Sequence, residues 1–200
     1  SYTYDEKGNI LSATDALGNT ISYSYSPWGE LLSETDANGN TTSYSYDEAG
    51  YCTAVTYPSG CTVHVTYDLC GRVSTIYTET AEGECIQTSY TYDCMGNVST
   101  YTDELGNVTS YQYDLNGNLV KVTDSEGDIT AEYTYDSMGK ILQEKQSDGI
   151  LVTYSYNKSD LVEKMTLTVP SGGEKTYTYA YDDMGRVTTV TDPAGVTASQ

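Results

Sequence analysis

Short segments of the chain alternate apolar and polar residues with a period of two, which predicts β-strands. In "TISYSY", Ile21, Tyr23 and Tyr25 fall on one face of the strand, and the intervening Thr and Ser residues fall on the other. The segment "TTSYSY" (41–46) repeats the pattern. Strands of this kind predict a sheet with a packed or stacked tyrosine face and a solvated Ser/Thr face.

The tyrosine pairs recur along the whole chain at a nearly constant spacing. The second Tyr of each Tyr-x-Tyr phrase, or the Tyr at the same point of the repeat, is called the anchor here, and successive anchors lie 21 to 25 residues apart. A fixed period of this size indicates a repeat architecture. The anchors are Tyr4, Tyr25, Tyr46, Tyr67, Tyr92, Tyr113, Tyr135, Tyr156 and Tyr181.

Glycines at intervals of 10 or 11 residues divide most repeats in two, and the phrase that carries them is usually Asp-x-x-Gly. Asp is favoured at the first position of a type I turn, and Gly accepts the positive φ that follows the turn. The phrase therefore predicts a hairpin loop with a bulge at the glycine. In "NKSD", Asp160 replaces Gly and should take the positive φ. The residues that we expect to form such turns are Asp5, Gly8, Asp15, Gly18, Asp47, Gly50, Asp68, Gly71, Asp93 and Gly96.

The strand after each anchor carries apolar residues at two positions that should face opposite ways. An aliphatic residue or Cys stands six residues after the anchor, as at Leu31 and Cys52, and an apolar residue often stands nine residues after it, as at Val55 and Ile76. Simple alternation puts positions six and nine on different faces. Either a bulge lies between them, or both faces are partly buried.

The two-turn rhythm favours an antiparallel meander over the other repeat folds. A leucine-rich horseshoe requires a motif that is absent, and the turns of a parallel β-helix need not fall every ten residues. We therefore predict an all-β array of tandem antiparallel hairpins, with residues 1–200 as a single array of about nine repeats cut from a longer repeat protein. Broad twisted sheets curl, so the strip should curve and spiral.

Charge and composition exclude several classes of partner. The chain has 22 Tyr, no Phe and a formal net charge of −20. Such a surface repels nucleic acids and anionic lipid headgroups, and the sequence has no apolar run long enough to span a membrane. The many tyrosines argue against disorder.

Candidate chemistry is sparse, and the sequence predicts neither a cofactor nor an enzyme. His64 is the single histidine, so a Ser or Cys nucleophile would have no second candidate base. The turn aspartates do not follow the calcium-loop pattern. No C-x-x-C pair suggests zinc, and most cysteines should be free thiols that pack as small apolar residues, with one disulfide left open. The cysteines are Cys52, Cys61, Cys70, Cys85 and Cys94.

The phrase Y-x-Y-D-x-x-G-[NR]-[LIV], followed by T-D-x-x-G-N-x-T, is similar to the RHS or YD repeat, and the resemblance covers essentially the whole chain. The resemblance implies an antiparallel strip that spirals into a hollow shell. It covers bacterial polymorphic toxins, insecticidal toxin-complex cocoons, wall-associated proteins and teneurins. RHS toxins can end in a self-cleaving D-P-x-G-L phrase. Here "DPAGV" (192–196) occupies an ordinary turn position, and we interpret it as a turn.

The resemblance suggests two functions for the chain. In the first, the chain is a non-catalytic shell segment of a secreted or cell-surface bacterial protein, which encloses or presents a C-terminal effector or toxin domain outside this segment. In the alternative, the repeats are an adhesive surface that binds a cell-wall glycan or a surface protein. Trp28, in the turn "SPWG", would then contact the glycan, unless its ring packs over the neighbouring turn.

Overall fold

The structure is a computed structural model that describes residues 1–199, and in this range it contains β-strands and turns but no helix. Contacts divide the chain into two compact units. The first comprises Ser1–Thr91 with Thr102–Gly106, and the second comprises Tyr92–Tyr101 with the residues from Asn107 on. The strands are β1 (Tyr2–Tyr4), β2 (Ile10–Thr14), β3 (Thr20–Tyr25), β4 (Leu31–Thr35), β5 (Thr41–Tyr46), β6 (Cys52–Thr56), β7 (Thr62–Tyr67), β8 (Val73–Glu79), β9 (Cys85–Tyr92), β10 (Val98–Thr102), β11 (Val108–Tyr113), β12 (Leu119–Thr123), β13 (Ile129–Tyr135), β14 (Ile141–Gln146), β15 (Leu151–Tyr156), β16 (Val162–Val169), β17 (Gly173–Tyr181), β18 (Val187–Thr191) and β19 (Thr197–Ser199).

Each strand pairs antiparallel with the next strand in the chain. In the first unit this holds from β1 through β9. In the second unit it holds from β11 through β19. The prediction of an all-β array of tandem antiparallel hairpins is confirmed.

Neither unit has a hydrophobic core. Within residues 1–199 no hydrophobic side chain is buried, and Thr166, at 9% exposure, is the one residue that reaches the buried class. The strand contacts described inside each unit join strands that are consecutive in the chain. Stability therefore comes from the backbone ladders and from side-chain pairs between neighbouring strands, as in other quasi-one-dimensional repeat proteins.

The two faces of the sheet differ in the way that the sequence predicts. Along β3 and β5 the residues alternate between exposed and half-buried, with the tyrosines half-buried. The opposite face carries paired hydroxyls: Ser24 Oγ lies 2.6 Å from Ser33 Oγ, and Thr35 Oγ1 lies 2.8 Å from Thr41 Oγ1. The tyrosine face packs only against itself, so its rings are covered by their neighbours along the sheet.

After eight of the nine anchors, a bulge near the start of the next strand brings the two apolar positions onto one face. In the β5–β6 ladder, Tyr46 is opposite Cys52, Ser45 is opposite Ala54, and Tyr44 is opposite Val55. Thr53 is the extra residue, with no partner in this register. Because directly opposed residues share a face, Cys52 and Val55 both lie on the tyrosine face. Of the two alternatives that the sequence left open, the structure shows the bulge.

The turns have the geometry of a type I turn followed by a glycine bulge. In the turn after β4, the Gly39 amide donates to the Asp36 carbonyl at 3.0 Å, the Asp36 amide donates to the Asn40 carbonyl at 2.9 Å, and Gly39 has a φ of 86°. Asp160 has a φ of 63°, as its place in the repeat predicts, and it is the non-glycine residue with positive φ in the described range.

Candidate functional site

Five of the anchor tyrosines form a hydrogen bond to the repeat before their own. Tyr46 Oη donates a hydrogen bond of 2.9 Å to the carbonyl oxygen of Leu31, and Tyr67 Oη donates one of 2.7 Å to the carbonyl of Cys52. Each acceptor is the first residue of the preceding strand, which belongs to the repeat before that of the anchor. The same bond is formed by Tyr135 with Leu119, Tyr156 with Ile141, and Tyr181 with Val162.

These hydroxyls bond carbonyls that the backbone ladder with the anchor strand does not reach. The pairing of β4 with β5 covers Ser33–Thr35 and does not extend to Leu31. The Tyr46 hydroxyl therefore provides a donor for a carbonyl beyond the end of the paired segment. Burial against the neighbouring strand also raises the pKa of Tyr46 and of Tyr67 above its usual value of 10.0. The anchor positions are therefore junction residues between repeats.

The turn aspartates close their own loops by accepting several hydrogen bonds. Asp5 Oδ1 accepts the amides of Lys7 and Asn9 at 2.9 and 2.8 Å, and Asp5 Oδ2 accepts the side-chain amide of Asn9 at 2.8 Å. The Asn9 side chain, followed by backbone N–H groups, lowers the pKa of Asp5. Asp15, Asp68 and Asp93 are bonded in the same manner. These carboxylates are engaged in the turn rather than directed at a ligand.

The residue five positions after an anchor can contact the next anchor, and the sequence did not predict this contact. Tyr51, five residues after Tyr46, stacks on the next anchor, Tyr67, with ring centroids 4.9 Å apart. Lys140, five residues after Tyr135, places its Nζ 5.0 Å from the centroid of the next anchor, Tyr156. The only sequence signal is that this position follows the turn glycine directly, because its residue type varies from repeat to repeat.

His64 belongs to an aromatic pair and not to a catalytic cluster. Its ring stacks on Tyr77 with centroids 4.3 Å apart and planes 7° from parallel. His64 is opposite Ala54, which is opposite Ser45, so it lies on the Ser/Thr face. In the part of the chain that the structure describes, no group of three or more His, Cys, Asp or Glu side chains converges as a metal site would require.

Trp28 lies at the tip of its turn with 88% of its surface exposed. With Glu30 and the turn 47–50 it borders a shallow groove of about 570 Å³. So large an exposure shows that the ring is not covered by the neighbouring turn. The ring face is thus open to solvent.

All five cysteines are free thiols, which confirms the larger part of the sequence prediction. Cys52 and Cys61 are half-buried, and this agrees with a role as small packing residues. For Cys70, Cys85 and Cys94 the packing role is wrong, because these side chains are exposed at or near turns.

Family profiles match nearly the whole chain. The RHS repeat profile matches residues 4–37 and 25–62, and the teneurin YD-shell profile matches residues 61–130 and 125–199. A comparison with curated protein sequences finds no match. Between residues 1 and 199 no helix is present that could cross a membrane.

Solved toxin-complex structures contain the same fold. The crystal structure of TcdB2–TccC3 without its hypervariable C-terminal region superposes with a TM-score of 0.81 at 20% identity, over 96% of this chain and 11% of that one. A Photorhabdus luminescens Tc holotoxin pore with a TccC3 mutation superposes with a TM-score of 0.63 at 18% identity, over 96% of this chain and 12% of that one. The chain therefore spans about a tenth of the length of these structures.

Proposed function

The chain belongs to the RHS and YD-shell repeat family, and from this we propose that it is one segment of a longer shell whose wall encloses or presents a C-terminal effector domain of the same polypeptide. A structural shell role is what the family and its fold support. Enclosure of an effector goes beyond this structural role and is the part that we propose. The observation that carries it is a repeat that extends the sheet without a core and without a catalytic cluster among the described residues.

The local structure suits a wall. Each repeat adds two strands, and the anchor hydroxyls join successive repeats through bonds such as Tyr46–Leu31. The turns at both ends of the strands close on themselves, so the strip grows only in the direction in which repeats are added. An array built in this way covers a large surface with few residues, since it needs no second layer to bury its side chains.

The proposed cargo lies outside this segment. One of the similar structures is TcdB2–TccC3 without its hypervariable C-terminal region, and this chain matches only 11% of that polypeptide. We expect the parent polypeptide to carry further repeats and a distinct C-terminal domain. The same family relationship supports a secreted or cell-surface location, in a bacterium, for the assembled protein.

Protection from proteolysis tests enclosure. The parent polypeptide is digested with increasing amounts of a nonspecific protease, and the survival of its C-terminal domain is followed by mass spectrometry. We expect that domain to survive in the intact protein and to be cut when the junction is weakened by Tyr46→Ala with Tyr67→Ala. The matched control is Tyr23→Ala with Tyr44→Ala, which removes two rings from the same tyrosine face of the sheet but no junction bond. Equal, rapid cleavage in all three proteins would contradict enclosure.

A second candidate function, contact with a neutral glycan, is favoured by one observation, the open ring face of Trp28. Exposed aromatic rings stack on the apolar faces of sugars. We propose Trp28 as the contact residue. Binding of neutral wall oligosaccharides, measured by calorimetry because Trp28 is the single tryptophan, should be lost in Trp28→Ala and kept in Leu69→Ala, which removes another exposed turn-tip side chain. In the parent chain, the fluorescence of Trp28 should also change on titration. A titration without any change in fluorescence would rule out this contact.

A further inference from the structure

A second groove in the first unit, of about 680 Å³, combines aromatic residues with a carboxylate and contains no Lys or Arg side chain. Four rings line it, those of Tyr51, Tyr67, His64 and Tyr77, together with the turn residues Asp47 and Asp68. Neither Lys nor Arg is among the lining residues. Of the two acidic side chains, Asp68 is paired with the guanidinium of Arg72 at 2.7 Å, whereas Asp47 has no cationic partner within residues 1–199. The groove therefore has a negative potential beside open π surfaces, which is the environment that attracts an organic cation.

The rings are ordered as two pairs. Tyr51 and Tyr67 stack with centroids 4.9 Å apart, and His64 and Tyr77 stack with centroids 4.3 Å apart. Tyr51 is 41% exposed, so a substantial part of its ring is open to a ligand. Stacked rings hold each other in place, and the surface that they present is preorganised.

The carboxylate of Asp47 has one oxygen available, unlike most of its counterparts. Its Oδ1 accepts the backbone amides of Ala49 and Tyr51, each at 2.9 Å. In other turns the residue four positions on holds the second oxygen, as Asn118 does for Asp114 at 2.9 Å. At Asp47 that residue is Tyr51, and the structure of residues 1–199 shows no hydrogen bond or ion pair to Asp47 Oδ2.

Another repeat of this chain shows which group fits this arrangement. Lys140 occupies the position equivalent to Tyr51, with its Nζ 5.0 Å from the centroid of Tyr156 and 3.6 Å from Asp136 Oδ2. There a cation sits over the next anchor ring and beside the turn aspartate. At Asp47 the aspartate is present, but Tyr51 and not a cation stacks on the anchor ring of Tyr67. The ring surface that remains open beside Asp47 is therefore that of Tyr51, and the chain itself supplies no cation there.

We propose that this groove binds an arginine side chain of a basic polypeptide. A guanidinium is planar and weakly hydrated, so it stacks on a tyrosine ring while one N–H donates to Asp47 Oδ2. The hydrogen bond is charge-assisted and therefore stronger than a bond to a neutral donor. The net charge of −20 attracts a basic chain from a distance and repels acidic ones. The inference does not depend on the wall's enclosing an effector.

The test is a titration of the 200-residue chain with the peptide tri-arginine, followed by calorimetry and by amide chemical shifts. We expect saturable binding, with shifts concentrated at Tyr51, His64 and Asp47, and weaker binding of tri-lysine. Tyr51→Asn should weaken tri-arginine binding at least about tenfold. Asn is the residue at this point in several other repeats, so the variant should fold, and its amide should occupy Asp47 Oδ2.

A pair of charge variants separates this groove from general attraction to an acidic protein. Asp47→Asn keeps the oxygen that accepts the turn amides and removes the charge, and it should weaken binding about as much as Tyr51→Asn. Asp114→Asn, the matched control, removes the same charge at a turn whose second oxygen is already held, and it should leave the affinity within about twofold. Circular dichroism checks that each variant folds. Equal losses in Asp47→Asn and Asp114→Asn, non-saturable binding, or a neutral sugar competing for the groove would overturn the proposal.

Discussion

Tyr46 and Leu31 belong to different repeats, and the hydrogen bond of 2.9 Å from the Tyr46 hydroxyl to the Leu31 carbonyl joins them. Leu31 starts a strand at a bulge, where it is opposite Tyr25 on one side but beyond the paired segment on the other. The hydroxyl, and not only the ring, is therefore part of what holds successive repeats together. The bond gives a reason for Tyr rather than Phe at the five anchors that form it, in a chain that contains no Phe.

Removal of this hydroxyl should weaken the junction. In Tyr46→Phe the ring remains, but the Leu31 carbonyl loses its donor, so we expect the free energy of unfolding to fall by about 1 kcal/mol. Urea unfolding followed by circular dichroism measures the change. Tyr23→Phe is the matched control, because it lies on the same face and the structure shows no hydrogen bond from its hydroxyl. Equal losses in the two variants would mean that the anchor hydroxyl has no special role.

The turn glycines should resist substitution for a conformational reason and not for lack of space. Gly39 has a φ of 86°, and a Cβ added there would meet nothing within 4 Å. Gly39→Ala should therefore lower the free energy of unfolding by about 1 kcal/mol, which is the cost of a left-handed conformation for an L-residue. Gly39→Asn should cost less, since Asn tolerates this region. Thermal or urea unfolding that ranks Ala equal to Asn would contradict this explanation.

The turn carboxylates should make the fold sensitive to acid. The Asn40 side chain, followed by the backbone amide of Asn40, lowers the pKa of Asp36 below its usual value of 3.8. A lowered pKa in the folded state gives stability that is present above pH 3.8 and is lost as the pH falls through the folded-state value. The midpoint of urea unfolding should therefore decrease in this range.

Asp36→Asn isolates the contribution of one turn to this acid sensitivity. The variant keeps an oxygen for the turn amides and does not titrate, so its stability should depend less on pH below about 4 than that of the parent chain. The difference between the two curves also removes the general effect of neutralising a strongly acidic protein. Parallel curves would show that the Asp36 carboxylate does not contribute.

The junction tyrosines should make the fold sensitive to alkali. Burial raises the pKa of Tyr67 and of Tyr156 above 10.0. Stability from such a group is complete below pH 10.0 and is lost as the pH rises through the raised folded-state value. Unfolding should therefore become easier above about pH 10, together with the appearance of tyrosinate absorbance. Tyr67→Phe cannot ionise, so its stability should decline less steeply, and an unchanged slope would contradict the prediction.

The candidate site was only partly predictable from the sequence. The tyrosine anchors and the aspartate–glycine turns are visible because they recur at a fixed spacing, and recurrence reveals residues that every repeat needs. Tyr51 and the available oxygen of Asp47 are exceptions within that pattern. An aromatic residue that occurs at this position in one repeat gives no periodic signal. The role of Tyr51 depends on its contact with Tyr67, which is distant in sequence and adjacent in space.

The strands, the turns and their order could be predicted because they depend on a few consecutive residues. Alternation predicts the strands, and Asp-x-x-Gly predicts the turns and the positive φ found at Gly39 and, in the variant turn, at Asp160. The residues that face each other across the ladders could be identified only in the three-dimensional structure. Thr53 is the extra residue of a bulge, so Cys52 and Val55 share a face that simple alternation would have divided. Register is set by the pairing between neighbouring strands. The same pairing determines which junction bonds form, which cysteines are exposed and how the groove beside Tyr51 is built.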